Sequence, residues 1–103
     1  MTLREKQSRF VKMVADLIIF AYKMEYEFTF GDAYARAGHR PNSCHYVRLA
    51  IDLNVFKDGR YLDKGLEMEA VHGGLHDYWD SLGGAKRIDN DLNHYSMEHE
   101  GRR

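Results

Sequence analysis

The chain has a single cysteine, Cys44, among 103 residues. No intramolecular disulfide is therefore available, and the fold stands on packing, or on packing plus a metal. It also lacks an excess of one charge: fifteen basic and sixteen acidic residues leave a net charge of -1. A dedicated nucleic-acid binder usually carries a basic face, so no nucleic-acid partner is expected. Long apolar runs are missing too. The opening MTLREKQSRF has no continuous apolar segment of the signal-peptide kind. The patch VADLIIFAY is broken by Asp16 and is far too short to span a bilayer. A protein made in the cytoplasm, without a cleavable export signal and without stable membrane association, is expected. Internal repeats and low-complexity segments are absent.

What remains is an ordinary globular composition, 44% apolar and 30% charged. This length suggests one domain over residues 1–103 with a modest core, expected to be a monomer. Residues 3–25 predict an amphipathic helix. Phe10, Met13, Val14, Leu17, Ile18, Ala21 and Met24 recur at spacings of three and four, and Thr2 with Glu5 fits a capping box. YEFTF, 26–30, predicts a short strand. GDAYARAGHRPNS, 31–43, has little period and reads as a long connection with at most one helical turn.

LAIDLNVF, 49–56, alternates: Leu49, Ile51, Leu53 and Val55 face one way, Ala50, Asp52 and Asn54 the other. Lys57-Asp58-Gly59-Arg60 supplies a hairpin turn, and Tyr61 and Leu62 start the return strand. Residues 66–82 predict a second helix with Met68, Val71, Leu75, Tyr78, Trp79 and Leu82 on one face. Gly73 and Gly74 weaken it, and Gly83 and Gly84 end it. The tail is polar and irregular except around Asn93-His94-Tyr95. The mixture predicts an α+β domain, with an N-terminal helix and a second helix packed on a small antiparallel sheet.

The polar residues left over suggest a metal. His45 precedes the second strand, Asp52 lies on it, and His94 follows Asp91 by three residues. Two histidines and a carboxylate are a common zinc ligand set with one position left for water. A zinc ion there would lower the pKa of that water and polarise a carbonyl, and a carboxylate that does not bind the metal would take the proton. Asp91 is the candidate for that base. Spacing alone also allows His45 to be a loop anchor and Asp52 an edge-strand or turn-capping residue.

The order Ser43-x-His45, Leu49-Ala50-x-Asp52, Asp91-x-x-His94 resembles the zinc peptidases that cut bacterial peptidoglycan. These are the D-Ala-D-Ala carboxypeptidases and L-Ala-D-Glu endopeptidases, many of them phage lysins (endolysins). The phage-type members are most similar. They share an N-terminal helix, Gly31-Asp32-Ala33-Tyr34, the strand Leu49 to Asn54, the turn Lys57-Asp58-Gly59, Tyr78-Trp79-x-Ser81-Leu82-Gly83 and a closing Asn93-His94-Tyr95. The motifs run in order along nearly the whole chain. The resemblance implies zinc (Zn2+) held by His45, Asp52 and His94 in a cleft on the sheet, with Asp91 as catalytic base. It implies Ser43 as a neighbour orienting the site and Arg36 as a substrate- or oxyanion-binding group. The implied substrates are peptidoglycan stem peptides. The implied setting is a phage-infected or prophage-bearing bacterial cell, with the enzyme kept inside until a membrane lesion frees it to the wall.

Four features depart from that pattern. Ala35 offsets Arg36 by one residue. Arg48 occupies a position where the broad signature has glycine. The 31–43 loop is short, and a Trp-Gly-Gly segment before the last motif is missing. An inactive binding domain that keeps the fold is the competing reading, and the presence of Asp91 weighs against it.

The other candidates read as structural. Cys44 faces away from any metal if His45 faces it. His72 and His76 read as helix-surface or cleft-lining, His39 as a loop residue that is solvent-exposed or touches substrate, His99 as solvated and Trp79 as core. Arg102 and Arg103 carry no specific reading.

Overall fold

A computed structural model describes all 103 residues. The first helix, α1, spans Leu3–Lys23. Its capping box forms as expected: the Glu5 N–H donates to Thr2 Oγ1 at 3.1 Å, and the Thr2 N–H donates to Glu5 Oε1 at 2.9 Å. The helix stops two residues before the expected end because Glu25 turns to a left-handed φ of 66°. Phe10, Met13, Val14, Leu17 and Ala21 form its buried face. Lys12 and Asp16 pair at 2.8 Å on its outer side. No helix is long and apolar enough to cross a membrane.

The strands are β1 (Glu27–Phe30), β2 (Ala50–Lys57), β3 (Arg60–Tyr61) and β4 (His94–Ser96), all antiparallel to their neighbours. β2 is central. β1 lies on one edge, with Phe28 opposite Val55. The other edge is shared by β3 near the hairpin and β4 at the opposite end, where Asp52 faces His94 in register. The Asp58-Gly59 turn has positive φ at both residues, as a two-residue hairpin requires.

The second helix, α2, spans Gly65–Ser81 and runs unbroken through Gly73 and Gly74. Tertiary packing outweighs their low propensity. Trp79 is fully buried, meets Phe10 edge to face at 5.8 Å and donates its indole N–H to the Ser96 carbonyl at 2.8 Å. Phe20 and Tyr78 stack at 3.9 Å, joining the two helices. Gly84 is required beside this contact, since a Cβ there would overlap the Trp79 indole.

The core joins α1, α2 and the inner face of β2 around Leu17, Leu49, Leu53, Leu75, Trp79 and Tyr95. Two expectations need correction. His72 and His76 are 1% and 0% exposed, so they are core groups, although His72 also touches a cavity. The buried stripe of α2 is rotated toward them, while Met68, Val71, Tyr78 and Leu82 are only half-buried. The tail is also more ordered than its composition suggests: His94, Tyr95, Ser96 and Met97 are all buried.

Candidate metal centre

The short 3-10 turn Cys44–Val47 presents His45. Ser43 starts that turn, and its Oγ accepts the His45 N–H at 3.2 Å. Ser43 therefore orients His45 through the backbone. The turn separates neighbours. Cys44 points into the core and donates its S–H to the Met97 carbonyl at 3.4 Å. Burial pushes the Cys44 thiol up to about 11, so it stays protonated and is neither nucleophile nor ligand near neutral pH.

Arg48 closes the turn with φ 57° and ψ 36°. That left-handed conformation favours glycine. Here the arginine side chain compensates by lying over the Tyr34 ring, 3.9 Å from its centre.

Asp52 is carried by β2, and β1 ends beside it. The Gly31 N–H donates to the Asp52 carbonyl at 2.8 Å, and the Asp52 N–H donates to the Asp32 carbonyl at 3.0 Å. A Cβ on Gly31 would come within 2.9 Å of the Asp52 Cβ, so only glycine permits this approach. Across β2, the turn Asp91–His94 brings the last histidine in. The His94 N–H closes that turn onto the Asp91 carbonyl at 3.1 Å. His76 pins it from below, donating Nε2–H to the Leu92 carbonyl at 2.7 Å.

Three donor atoms converge. His45 Nε2 lies 3.1 Å from Asp52 Oδ1 and 3.1 Å from His94 Nδ1, and His94 Nδ1 lies 3.5 Å from Asp52 Oδ1. A tetrahedral zinc with bonds of about 2.0–2.1 Å holds its ligand atoms roughly 3.3 Å apart. The trio fits that geometry without rearrangement. It is also enclosed: the His45 and His94 side chains are 1% and 4% exposed, Asp52 19%. Burial opposes charge on Asp52, but hydrogen bonds from His45 and His94 outweigh it and hold the carboxyl well below the usual range. The carboxylate is therefore ionised, as a ligand must be. The far nitrogens, His45 Nδ1 and His94 Nε2, are buried with no hydrogen-bond partner.

Asp91 lies just outside the trio. Its Oδ2 is 4.0 Å from His94 Nδ1, and its side chain is half-exposed between two cavities. Arg36 is not brought in. It is exposed, makes no side-chain hydrogen bond or ion pair, and lines no cavity.

A residue of the 31–43 loop also belongs to the site. His39 stacks on His45 with ring centres 4.1 Å apart, and its Nε2 is 3.0 Å from Asp32 Oδ2. Tyr46 fixes it: the His39 N–H donates to the Tyr46 hydroxyl at 2.9 Å, and the hydroxyl donates to the His39 carbonyl at 2.8 Å. Donor atoms of His39, His45 and Asp52 lie within 4.8 Å of one another. Nothing in the aperiodic 31–43 segment signals this, because the clasp is made by a residue beyond it. A His/His/Asp cluster able to coordinate a metal ion is thus present.

Comparison of the chain with protein-family models, with curated proteins and with solved structures gave no match.

Proposed function

We propose that this protein is a zinc metallopeptidase that hydrolyses amide bonds in the stem peptides of bacterial peptidoglycan. The observation that carries the reading is the convergence of His45, Asp52 and His94 at 3.1–3.5 Å, with the carboxylate of Asp91 beside them but outside the ligand set. Three protein ligands with a free carboxylate alongside is the arrangement of a hydrolytic zinc site rather than a closed structural one. Zinc held by His45, Asp52 and His94 would acidify a water and polarise the scissile carbonyl. Asp91 takes the proton of the attacking water and returns it to the leaving amine. Ser43 and His76 hold the two histidine-bearing turns in place.

The substrate class comes from the motif resemblance, and the enclosed trio supports the chemistry. Digestion of purified peptidoglycan by the zinc-loaded protein, with fragments identified by mass, tests it. New amino termini within the stem peptides are expected. Intact stem peptides after prolonged digestion would refute the assignment. The His45→Ala/Asp52→Ala double variant is expected to lose zinc, and a full equivalent of zinc in that variant would remove the metal site.

A further inference from the structure

We infer that His39 is a fourth ligand of the metal centre, and one that can leave it. It completes the coordination of the ion in the resting protein and gives way to water or substrate. This rests on the zinc site proposed above and adds a residue that the motif resemblance does not contain. Of the six histidines, His45 and His94 already belong to the trio. His72 and His76 are committed to the Tyr95 hydroxyl and the Leu92 carbonyl. His99 is half-buried and not solvated as expected, with Lys6 Nζ 3.0 Å from its Nδ1. His39 is the sixth, and it stands against the cluster. A ring nitrogen of His39 lies within 4.8 Å of donor atoms of both His45 and Asp52. The His39 and His45 rings stack at 4.1 Å with their planes 21° apart.

The surroundings of His39 are those of a ligand. Its Nε2 lies 3.0 Å from Asp32 Oδ2. An imidazole that donates one N–H to a carboxylate keeps a lone pair on its other nitrogen, and metal-bound histidines are commonly held in this way. With Nε2–H on Asp32, Nδ1 is free to bind. The Tyr46 clasp ties residue 39 to the same turn that presents His45, so the two rings reach the ion as a unit. His39 also shares the wall of a cavity of about 300 Å³ with His94 and Asp91. His39 and Asp91 therefore flank one approach to the cluster. Ligand atoms on a tetrahedral zinc are roughly 3.3 Å apart, so His39 closes onto the ion by a small inward movement. It is also the ligand most able to leave. Its side chain is 23% exposed, against 1% for His45 and 4% for His94, and Asp32 holds it when it is off the ion.

The test is nitrogen-15 NMR of the histidine rings in the zinc-loaded protein, with zinc affinity measured by chelator competition. Three rings, those of His39, His45 and His94, are expected to show one zinc-bound nitrogen each, and on His39 that nitrogen is Nδ1. His39→Ala is expected to bind zinc at least about tenfold more weakly. It should keep its circular-dichroism spectrum, because the Tyr46 clasp uses only the backbone of residue 39. The wild-type spectrum decides the matter even where that variant misfolds. Zinc on His45 and His94 alone, or an affinity of folded His39→Ala within twofold of wild type, overturns the fourth ligand and leaves the trio and the peptidase reading in place. A wild type that binds no zinc overturns both. Three zinc-bound rings in a protein that leaves stem peptides intact refutes the peptidase reading while the fourth ligand stands.

Discussion

Arg48 shows how one residue can carry a backbone conformation that its side chain disfavours. A left-handed φ costs a residue with a Cβ about 1–2 kcal/mol, and at Arg48 the contact with Tyr34 offsets part of that. Arg48→Ala keeps the strain and loses the ring contact, whereas Arg48→Gly loses the contact and the strain together. Urea unfolding is therefore expected to find Arg48→Gly more stable than Arg48→Ala by about 1 kcal/mol; equal midpoints would show that the turn stores no strain. At this scale the sequence was informative where chemistry and pattern coincide. Asp52 stood out because a charged residue interrupts an apolar strand, and Asp91 and His94 because three residues can close one turn. His39 did not stand out. Its place depends on the Tyr46 clasp and on stacking with His45, and neither leaves a period or a motif. Arg36, named only through the motif resemblance, is exposed at the surface.

At the scale of elements, α2 supports the centre from behind. His76 stacks on Tyr95 at 4.1 Å while holding the Leu92 carbonyl, and the Tyr95 hydroxyl meets His72 Nδ1 at 2.7 Å. Burial pushes the Tyr95 hydroxyl well above its ordinary range, so it remains a donor to the neutral imidazole. Burial, with a smaller contribution from His76, lowers His72 to about 4. The folded pKa is below the unfolded value of about 6.5, so below that value the unfolded chain binds the extra proton. The contribution of His72 to stability is thus complete above about pH 6.5 and is lost as pH falls toward 4. Between pH 7 and pH 5 the chelator-treated wild type is expected to lose about 2 kcal/mol more than His72→Gln, read by urea unfolding. Parallel losses would show that His72 is not a buried neutral group. Both helices, the central strand and its hairpin were legible from period and turn residues. The rotation of α2 was not, because a histidine on a helical stripe looks polar until Tyr95 and the Leu92 carbonyl satisfy it.

For the whole molecule, the centre is a product of topology. His45 and His94 are 49 residues apart and meet only because β4 returns to pair with β2 where Asp52 stands. A site assembled from three separate segments exists in the folded chain and not in the unfolded one, so a metal held there would couple its binding to folding. Zinc at a thousand times its dissociation constant adds about 4 kcal/mol, which for a domain of this size is expected to raise Tm by at least about 10 °C, reversibly with chelator. An unchanged Tm would mean that the trio does not hold the ion. The central claim is that Asp91 acts as a base beside a metal it does not bind. It is tested most directly by the cleavage rate of peptidoglycan stem peptides by Asp91→Asn and wild type at matched, measured zinc content. A full equivalent of zinc in both proteins, with cleavage by the variant reduced at least about a hundredfold, is the predicted result. Cleavage at the wild-type rate by the zinc-loaded variant would contradict it.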